Sequence, residues 1–551
     1  MAIVAKREEQ VMSKKYPFKR DFYEDVVGSI KKNKATFVLG PRKCGKTVCL
    51  LQVRDACGSA EYVDFKGKTE QKSMEVLSRI QKSIEKDEGK VYLLDEITYA
   101  PNPEKYICEI AYLFTENNSR NTRVAFSGSQ SLALDKWGHI AFCGSAGFIR
   151  ADFLSYAEYL RYKNVEKPSE ESYERFLYET PEFLGFDSMR EYLQGCLDET
   201  ALSNLKTSNY LYGNDCDLLD ADILLEVCYA TLFTLHNHVT STTFAKGDYL
   251  KTDIGFYFGK VCEELDLDKR IQDSFVGKYK SFRKRDWQTL EQAFLFLRNC
   301  GLITVTPVVG DLENIPDMER DFKLIAHGGD TRTHFKNGLF RDFNMCISYP
   351  AFYVAILRDI LKERMPDRLP NGLLGSIVEC HIRGMLPERF SAEFHDYNDN
   401  EIDYVNTVDQ TAIEITVSNK PTSKTHFDLL PEDYRKILLT KDRDDNVQGV
   451  RRIPYYEFLA SGADYNAYTK GSVVQSTEHA FEQHEEERGA RSVKHNTDTD
   501  QSAGLCSGNE SIASFLNACA NDSLGMSEDD AGTAADEMTE EPEVGIDLES
   551  P

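Results

Sequence analysis

Short apolar runs that end in polar residues recur through the first 150 positions of the chain. The clearest are residues 35–39, 91–94 and 124–126, and a weaker run covers residues 62–65. Runs of this length are typical of strands that are buried on both faces of a parallel sheet. A helix-compatible stretch follows the first run almost directly. The pattern therefore predicts an N-terminal α/β domain with a P-loop type of strand–turn–helix order.

The turn after the first run matches the phosphate-binding pattern G-x-x-x-x-G-K-[ST]. Its residues are Gly40, Pro41, Arg42, Lys43, Cys44, Gly45, Lys46 and Thr47. Such a loop surrounds phosphate oxygens with backbone N–H groups at the start of a helix. Lys46 is expected to reach the β- and γ-phosphates, and the Thr47 hydroxyl is expected to hold Mg²⁺. The predicted cofactors are therefore ATP and Mg²⁺.

Two carboxylates, Asp95 and Glu96, follow the apolar run 91–94 directly. The carboxyl ends of parallel strands form the edge where open α/β sheets bind ligands. We expect Asp95 to complete the Mg²⁺ site and Glu96 to take a proton from an attacking water. The next run ends in Ser127-Gly-Ser129, whose hydroxyls could sense the γ-phosphate or orient that water; the same residues also suit an ordinary turn.

Residues from about 200 to 310 are predicted to be mostly helical, including the stretch His236-Asn-His238. Gly301 then ends a helix, and the β-rich residues 302–306 follow, as in the last helix and wing of a winged helix-turn-helix. A basic cluster precedes them, comprising Lys278, Lys280, Arg283, Lys284 and Arg285. This cluster can contact DNA phosphates. It can equally be a solvated helix start in a module that serves only for packing.

A second set of candidate site residues lies between positions 375 and 420. Glu379 falls in a helical segment, Asp403 in an alternating strand-like run, and Glu414 in a further strand. Carboxylates in this order occur in restriction-endonuclease-like folds, where they bind metal ions that activate water. The expected Glu-x-Lys has Thr416 at the lysine position, and Lys420 is the nearest substitute. We therefore expect the fold and a metal site, with weak or absent cleavage.

Composition limits the class of protein. The 551 residues are 41% hydrophobic and 11% aromatic, enough for two to four globular domains. No signal peptide or apolar run of membrane-spanning length is apparent, and the 14 cysteines include no C-x-x-C pair. We therefore predict a cytoplasmic protein. The net charge of -26 is concentrated after residue 470, where 19 acidic and three basic residues predict a disordered acidic tail.

Taken together, these segments resemble a prokaryotic family of AAA-type P-loop ATPases that carry a C-terminal restriction-endonuclease-like domain. The resemblance rests on residues 40–47, 93–97, 126–131 and 153–159, and on the C-terminal segments 375–379, 401–405, 413–415, 437–442 and 453–454. It implies ATP binding and the two metal sets described above. The family usually has Gly-Arg where this chain has Gly144-Ser145, so a phosphate-sensing arginine is missing, and Arg150 is the nearest candidate.

The predicted organisation has four parts. Residues 15–165 form the ATPase domain, 166–310 a helical and winged-helix region, 311–465 a nuclease-like domain, and 466–551 the acidic tail. The predicted function is Mg²⁺-ATP binding with slow hydrolysis, coupled to a nuclease-like domain of doubtful activity. A small-molecule kinase and a nucleotide-gated DNA-binding or scaffold protein without turnover are the alternatives. DNA or a protein is the candidate partner, and the oligomeric state stays open.

Overall fold

The computed structural model describes most of the chain between residues 16 and 462. The described ranges are 16–186, 188–197, 221–233, 236–240, 261–270, 300–314, 342–386, 391–395, 401–417 and 426–462, with the single residues 259, 273, 296 and 297. The basic cluster at 278–285, Lys420 and the acidic tail lie outside these ranges. Nothing in the structure bears on the predictions made for them.

The N-terminal domain is built on a five-stranded parallel sheet within the described residues. Its strands are β1 (Ala35–Leu39), β2 (Ala60–Asp64), β3 (Val91–Asp95), β4 (Arg123–Ser127) and β5 (Ala146–Arg150), in the order β2-β3-β4-β1-β5. Its helices are α1 (Phe22–Lys32), α2 (Lys46–Ala56), α3 (Glu70–Lys86), α4 (Pro103–Asn117) and α5 (Ser131–Phe142). This arrangement confirms the predicted parallel α/β domain, and it fits the P-loop NTPase fold.

Alternation along β1 shows how the sheet is covered on both faces. Phe37 packs into one core, where its ring stacks on Phe126 and Phe148 with centroids 4.7 and 5.1 Å apart. Val38 packs into a second core on the opposite face. Because both faces of the sheet are buried in apolar cores, the sequences of its strands are continuous apolar runs. This second core continues without a break into the C-terminal part of the chain, as far as Leu459.

The helices that follow the sheet connect the two parts of the molecule. They are α6 (Tyr156–Lys163), α7 (Glu170–Phe183), α8 (Met189–Cys196), α9 (Ala221–Phe233), α10 (Pro350–Leu361) and α11 (Asn371–Met385). The Tyr173 hydroxyl on α7 lies 2.9 Å from Nδ1 of His381 on α11, and both side chains are buried. Burial lowers the pKa of His381 to about 3, so this imidazole is neutral. Helix α7, which follows the ATPase domain, and the helix that carries Glu379 are therefore in direct contact.

A second sheet has nine strands within the described residues, in the order β13-β14-β12-β11-β10-β9-β7-β8-β6. Its strands are β6 (His236–Thr240), β7 (Ile303–Val309), β8 (Asp342–Ile347), β9 (Ser391–His395), β10 (Glu401–Asn406), β11 (Thr411–Ile415), β12 (Arg435–Thr440), β13 (Asp445–Val447) and β14 (Val450–Pro454); the short helix α12 (Tyr455–Ala460) follows. The sheet is mixed, because β9, β10 and β11 pair antiparallel whereas β12 is parallel to β11 and β14.

The two halves of this sheet meet at one short contact. Strand β7 pairs parallel to β9 through Val308 and Val309 alone. On its other edge β7 pairs antiparallel to β8, which in turn pairs with β6. The order β6-β8-β7 groups three strands that come from the middle of the chain. The predicted boundary after residue 310 falls between β7 and β8, two strands that pair with each other.

One local prediction is wrong. The stretch His236-Asn-His238 was expected to be helical, whereas it begins strand β6. The preceding helix ends at Phe233. The sequence of this apolar stretch shows no change in hydrophobic periodicity that would mark where the helix ends and the strand begins. Within the described part of the chain, no helix combines the length and the apolar character that crossing a membrane requires.

Candidate functional site

The phosphate-binding loop connects β1 to α2, as predicted. Its first glycine, Gly40, lies so close to the backbone of Ala151 that an added Cβ would come within 1.9 Å of the carbonyl oxygen. Gly45 immediately precedes helix α2 and has a φ of 100°, a conformation that favours glycine. Both glycines are therefore required by the path of the backbone. The helix starts at Lys46, so its free N–H groups point into the loop.

Lys46 is buried, and its ammonium group is held by the loop itself. Its Nζ donates to the carbonyl oxygens of Gly40 and Pro41, both at 2.6 Å. A cationic group in this position is preorganised beside the backbone that would surround phosphates. Together with the two glycines, it gives the loop the chemical groups that a nucleoside triphosphate requires.

Asp95 ends β3 and is buried. Its Oδ2 accepts a 2.7 Å hydrogen bond from the Tyr62 hydroxyl, and its Oδ1 accepts a short one from the Ser127 hydroxyl. Tyr62 lies on β2 and Ser127 on β4, so one strand on each side fixes this carboxylate. Ser127 was expected at the same strand edge; the contribution of Tyr62 was not foreseen.

Glu96 lies beside Asp95 but is held by different groups. The Ser129 hydroxyl donates to its two carboxylate oxygens at 2.9 and 3.0 Å, and the Ser129 N–H donates at 3.2 Å. Burial, followed by the nearby charge of Asp95, raises the pKa of Glu96 against the opposing charge of Lys46. The backbone of Glu96 is left-handed, with φ 51°, so the chain turns sharply and directs the two carboxylates differently. The structure thus brings together Asp95, Glu96, Ser127 and Ser129.

An ion pair that the sequence did not predict holds the phosphate-binding loop in position. The guanidinium of Arg20 donates to both oxygens of Glu158, at 2.7 and 2.9 Å, and to the carbonyl oxygen of Cys44 in the loop at 2.5 Å. Burial opposes ionisation of Glu158, yet the Arg20 hydrogen bond and charge hold the pKa of this carboxyl below its usual range. Glu158 also forms a capping box with Ser155 at the start of α6. Its position in segment 153–159 was the only sequence signal.

Helix α8 covers the other side of the loop. The Tyr192 hydroxyl donates to the carbonyl oxygen of Arg42 at 2.9 Å, and the Arg42 guanidinium donates to the carbonyl oxygen of Gly195 at 2.5 Å. Lys43, in contrast, is exposed at the loop surface. The loop is therefore clamped between Arg20 on one side and α8 on the other.

Residues 32–160, which contain this sheet and loop, match the family model described as an AAA domain. The N-terminal part of the chain is similar to an AAA-type ATPase. The match leaves the remainder of the chain uncovered, and no curated protein matches the sequence.

Solved structures with partial similarity include two bacterial proteins. They are AMPPCP-bound DnaA from Aquifex aeolicus (14% identity, 51% of this chain and 88% of that chain, TM-score 0.24) and the RuvB Holliday junction branch migration motor from Thermotoga maritima (13% identity, 52% and 89%, TM-score 0.23). At these TM-scores the similarity carries no argument about function.

The predicted C-terminal carboxylates lie on helix α11 and on the interior strands β10 and β11 of the second sheet. Glu379 projects from α11 and Asp403 from β10, and Glu401 joins them: one oxygen from each of the three lies within 4.8 Å of the others. Glu414 on β11 is not a member of this set among the described residues. A second set consists of Glu393, His395 and Glu401. From the sequence, Glu401 was expected only as part of a strand, and Glu393 and His395 were not identified as candidate site residues.

A buried arginine stands among these carboxylates. Nη2 of Arg383 lies 2.9 Å from Glu379 Oε1, 3.1 Å from Asp403 Oδ1 and 3.7 Å from Glu401 Oε1. Its Nη1 makes a short contact with Glu393. Arg383 is four residues after Glu379 on α11, a spacing that places both on one helix face. Nothing in the sequence distinguished it from a solvated helix arginine.

Crowding of like charges alters the protonation of this cluster. Burial, followed by the charges of neighbouring carboxylates, raises the pKa of Asp403 to about 7 and that of Glu401 to about 7. The same causes raise the pKa of Glu414 to about 9. Its Oε2 is buried and has no hydrogen-bond partner among the described residues. Glu414 is therefore protonated at neutral pH.

Two further candidates have distinct positions. Arg150 ends β5, and its largely exposed side chain donates to Asp152 at 2.7 Å. Thr416 follows β11, and its backbone N–H donates to the carbonyl oxygen of Leu439 at 2.8 Å. Neither residue places a positive charge within the site that it was considered for.

Proposed function

We propose that the protein binds Mg²⁺-ATP and hydrolyses it slowly at the edge of the five-stranded sheet. The observation that carries this proposal is the pairing of two adjacent carboxylates, the buried Asp95 and the half-buried Glu96, with two different hydroxyls: Asp95 with Ser127 and Glu96 with Ser129. Asp95 is held by Tyr62 and Ser127 in a position to bind a metal ion, and Glu96 is oriented by Ser129 in a position to act as a base. Lys46 and the loop glycines supply the complementary phosphate-binding groups.

In this proposal each residue has a separate task. Thr47 and Asp95 would hold Mg²⁺, which when bound neutralises phosphate charge. Lys46 would exchange its two loop carbonyl contacts for phosphate oxygens. Glu96, whose pKa is raised by burial, would accept a proton from the attacking water while Ser129 keeps the carboxylate oriented.

Nucleotide affinity of the variant Lys46→Ala tests the binding part. We expect binding of ATP to be lost, because no other cation in the loop has this buried position. Lys43→Ala is the matched control, since it removes an exposed lysine from the same loop and should bind normally. Unchanged ATP affinity in Lys46→Ala would refute the proposal.

Phosphate release without any added acceptor tests hydrolysis. We expect Glu96→Gln to bind ATP and to release phosphate about 10²-fold more slowly, as for loss of a general base. Consumption of ATP only in the presence of a small-molecule acceptor would instead favour the kinase alternative.

We further propose that residues 311–465 form a restriction-endonuclease-like domain without significant cleavage activity. Support comes from the order of elements: helix α11 with Glu379, three antiparallel strands with Asp403 and Glu414, and then β12 parallel to β11. Thr416 supplies no charge where such a site has a lysine, so the developing negative charge of a transition state would lack stabilisation.

The alternative of nucleotide-gated DNA binding has support of its own. The order β6-β8-β7 after helix α9 is the strand order of a winged helix-turn-helix. Salt-dependent DNA binding that is weakened by charge reversal at Lys278, Lys280 and Arg283 would favour it. Absence of any DNA affinity at low salt would count against it.

A further inference from the structure

The carboxylate cluster on helix α11 and strand β10 contains a cation of its own, Arg383. We propose that Arg383 is the resident counter-ion of Glu379, Glu401 and Asp403, and that the cluster holds its guanidinium in place of a divalent metal ion. The proposal concerns these side chains alone, so it is independent of whether the N-terminal domain hydrolyses ATP.

Geometry carries the first step. A divalent ion bound by three carboxylates would lie between their oxygens, at about 2.0–2.6 Å from each. Nη2 of Arg383 already lies between one oxygen of each residue, at 2.9, 3.1 and 3.7 Å. One oxygen of each residue lies within 4.8 Å of the others, so the space between the three carboxylates is too small for both the nitrogen and a metal ion.

Burial carries the second step. The Arg383 side chain is 1% exposed, and the Glu393 carboxylate that receives its Nη1 is fully buried. Glu393 also accepts from the amide of Asn344 and contacts His395, so strands β8 and β9 together with α11 fix this end of the guanidinium. A metal ion would have to displace an arginine whose side chain is buried in the folded domain.

The second oxygen of Asp403 is also engaged. Oδ2 of Asp403 accepts a 2.7 Å hydrogen bond from the N–H of Ile415 on β11. Its Oδ1 receives Arg383. Both oxygens of the carboxylate that is most central to the expected metal site thus already have donors. The carboxylates of this site therefore do not fit a divalent ion while Arg383 is present.

The burial of Arg383 also distinguishes its role from that of a catalytic cation. A lysine or arginine that stabilises a transition state must touch the substrate. Arg383 instead directs both terminal nitrogens at carboxylates of its own domain, and its exposed fraction leaves no surface for a phosphodiester. The arginine therefore neutralises the cluster, and it does not replace the lysine that is absent at Thr416.

The test is Mn²⁺ binding to the nucleotide-free, full-length protein, measured by electron paramagnetic resonance. We expect wild type and Asp403→Asn to bind the same number of Mn²⁺ ions. Arg383→Met should gain one Mn²⁺ site, and the double variant Arg383→Met/Asp403→Asn should lose it again. Arg451→Met is the matched control, because it removes an arginine that is paired with Asp444 elsewhere on the same sheet, and it should gain no site.

Two results would overturn the proposal. One is a stoichiometric Mn²⁺ ion in the wild type that disappears in Asp403→Asn. The other is a folded Arg383→Met that gains no ion. If Arg383→Met is folded only when Mn²⁺ is present, as circular dichroism with and without the ion would show, the exchange of one cation for another is supported. If it does not fold under either condition, the comparison of wild type with Asp403→Asn decides.

Discussion

Arg20 and Glu158 are 138 residues apart in the chain and share two hydrogen bonds of 2.7 and 2.9 Å. The same guanidinium donates to the carbonyl oxygen of Cys44, so one side chain connects helix α6 with the phosphate-binding loop. Little of either side chain is exposed, 10% for Arg20 and 3% for Glu158. The position of the loop therefore depends on a residue that precedes the sheet and on one that follows it.

Arg20→Met is expected to lower both stability and nucleotide affinity. It leaves the Glu158 carboxylate buried without its partner, which typically costs about 3–5 kcal/mol. Arg20→Lys keeps the charge but cannot make both contacts, so an intermediate effect is expected. Thermal unfolding and ATP titration measure the two properties separately.

Lys19→Met provides the control for this pair. Lys19 is the neighbouring residue, and its 4.0 Å contact with Glu24 is exposed on both sides. Such pairs contribute about 0–1 kcal/mol, so this variant should resemble the wild type. Equal behaviour of Arg20→Met and Lys19→Met would show that the buried pair does not support the loop.

Tyr62→Phe is expected to slow phosphate release with little change in ATP binding. The Tyr62 hydroxyl is one of the donors that fix Asp95, and loss of such a bond costs about 1.4 kcal/mol, or roughly tenfold in rate. Tyr92→Phe on β3 is the control, because its hydroxyl donates to the carbonyl oxygen of Arg79, away from the site. A rate loss shared equally by both variants would contradict a specific role of Tyr62.

Asp87 is expected to determine part of the acid sensitivity of the N-terminal domain. Hydrogen bonds from the Ser119 hydroxyl and the Asn121 N–H lower its pKa from 3.8 to about 2. Because the folded-state pKa is depressed, its contribution is complete above about pH 4 and is lost as the pH falls toward 2. Asp87→Asn should therefore be less stable than wild type at pH 7, and the difference should shrink toward pH 2.

The backbone at Asp87 makes this substitution a clean one. Its φ of 50° is left-handed, a conformation that asparagine tolerates, so the change removes charge without strain. Urea unfolding at a series of pH values is the measurement. Glu88→Gln, at the exposed neighbouring position, serves as the control, and a difference for Asp87→Asn that does not change with pH would contradict the prediction.

Glu414 is expected to have the opposite pH dependence. Its pKa is raised from 4.5 to about 9, so the folded state binds a proton that the unfolded state releases above about pH 4.5. Its burial therefore makes the protein less stable as the pH rises from about 4.5 to 9. Glu414→Gln should increase stability at pH 8 and have little effect near pH 4. A variant that is destabilised equally at both pH values would show that Glu414 is ionised or structurally required.

The elements that were predictable are those whose signal is local. Residues 35–39 and 91–94 are apolar because both faces of their strands are buried. The loop that starts at Gly40 has glycines at the positions where its backbone path requires them. Asp95 and Ser127 could be placed together because parallel strands end at one edge. The strand at His236 was missed, since a five-residue strand directly after a helix leaves no distinct period.

Contacts between distant segments could not be predicted. The sequence around Arg383 looks the same whether its side chain faces solvent or a buried cluster. Only the contacts of Arg383 with Glu393 on β9 and Asp403 on β10 show that it faces the cluster. The same holds for Arg20, whose partner is in another part of the sequence. Candidate carboxylates could be listed from their order along the chain, but the charge that neutralises them could not.

The two-residue pairing of β7 with β9 limits how the molecule can be divided. A fragment that starts after Ile347 would retain β9 through β14 but lose the strand that covers Glu393 and Phe394. Strand β9 would then be an edge, with unpaired backbone groups beside the apolar ring of Phe394, which is buried in the intact chain. Open edges of this kind recruit strands from other molecules. The isolated C-terminal sheet would thus be prone to self-association, and in the intact chain the pairing of β7 with β9 prevents it.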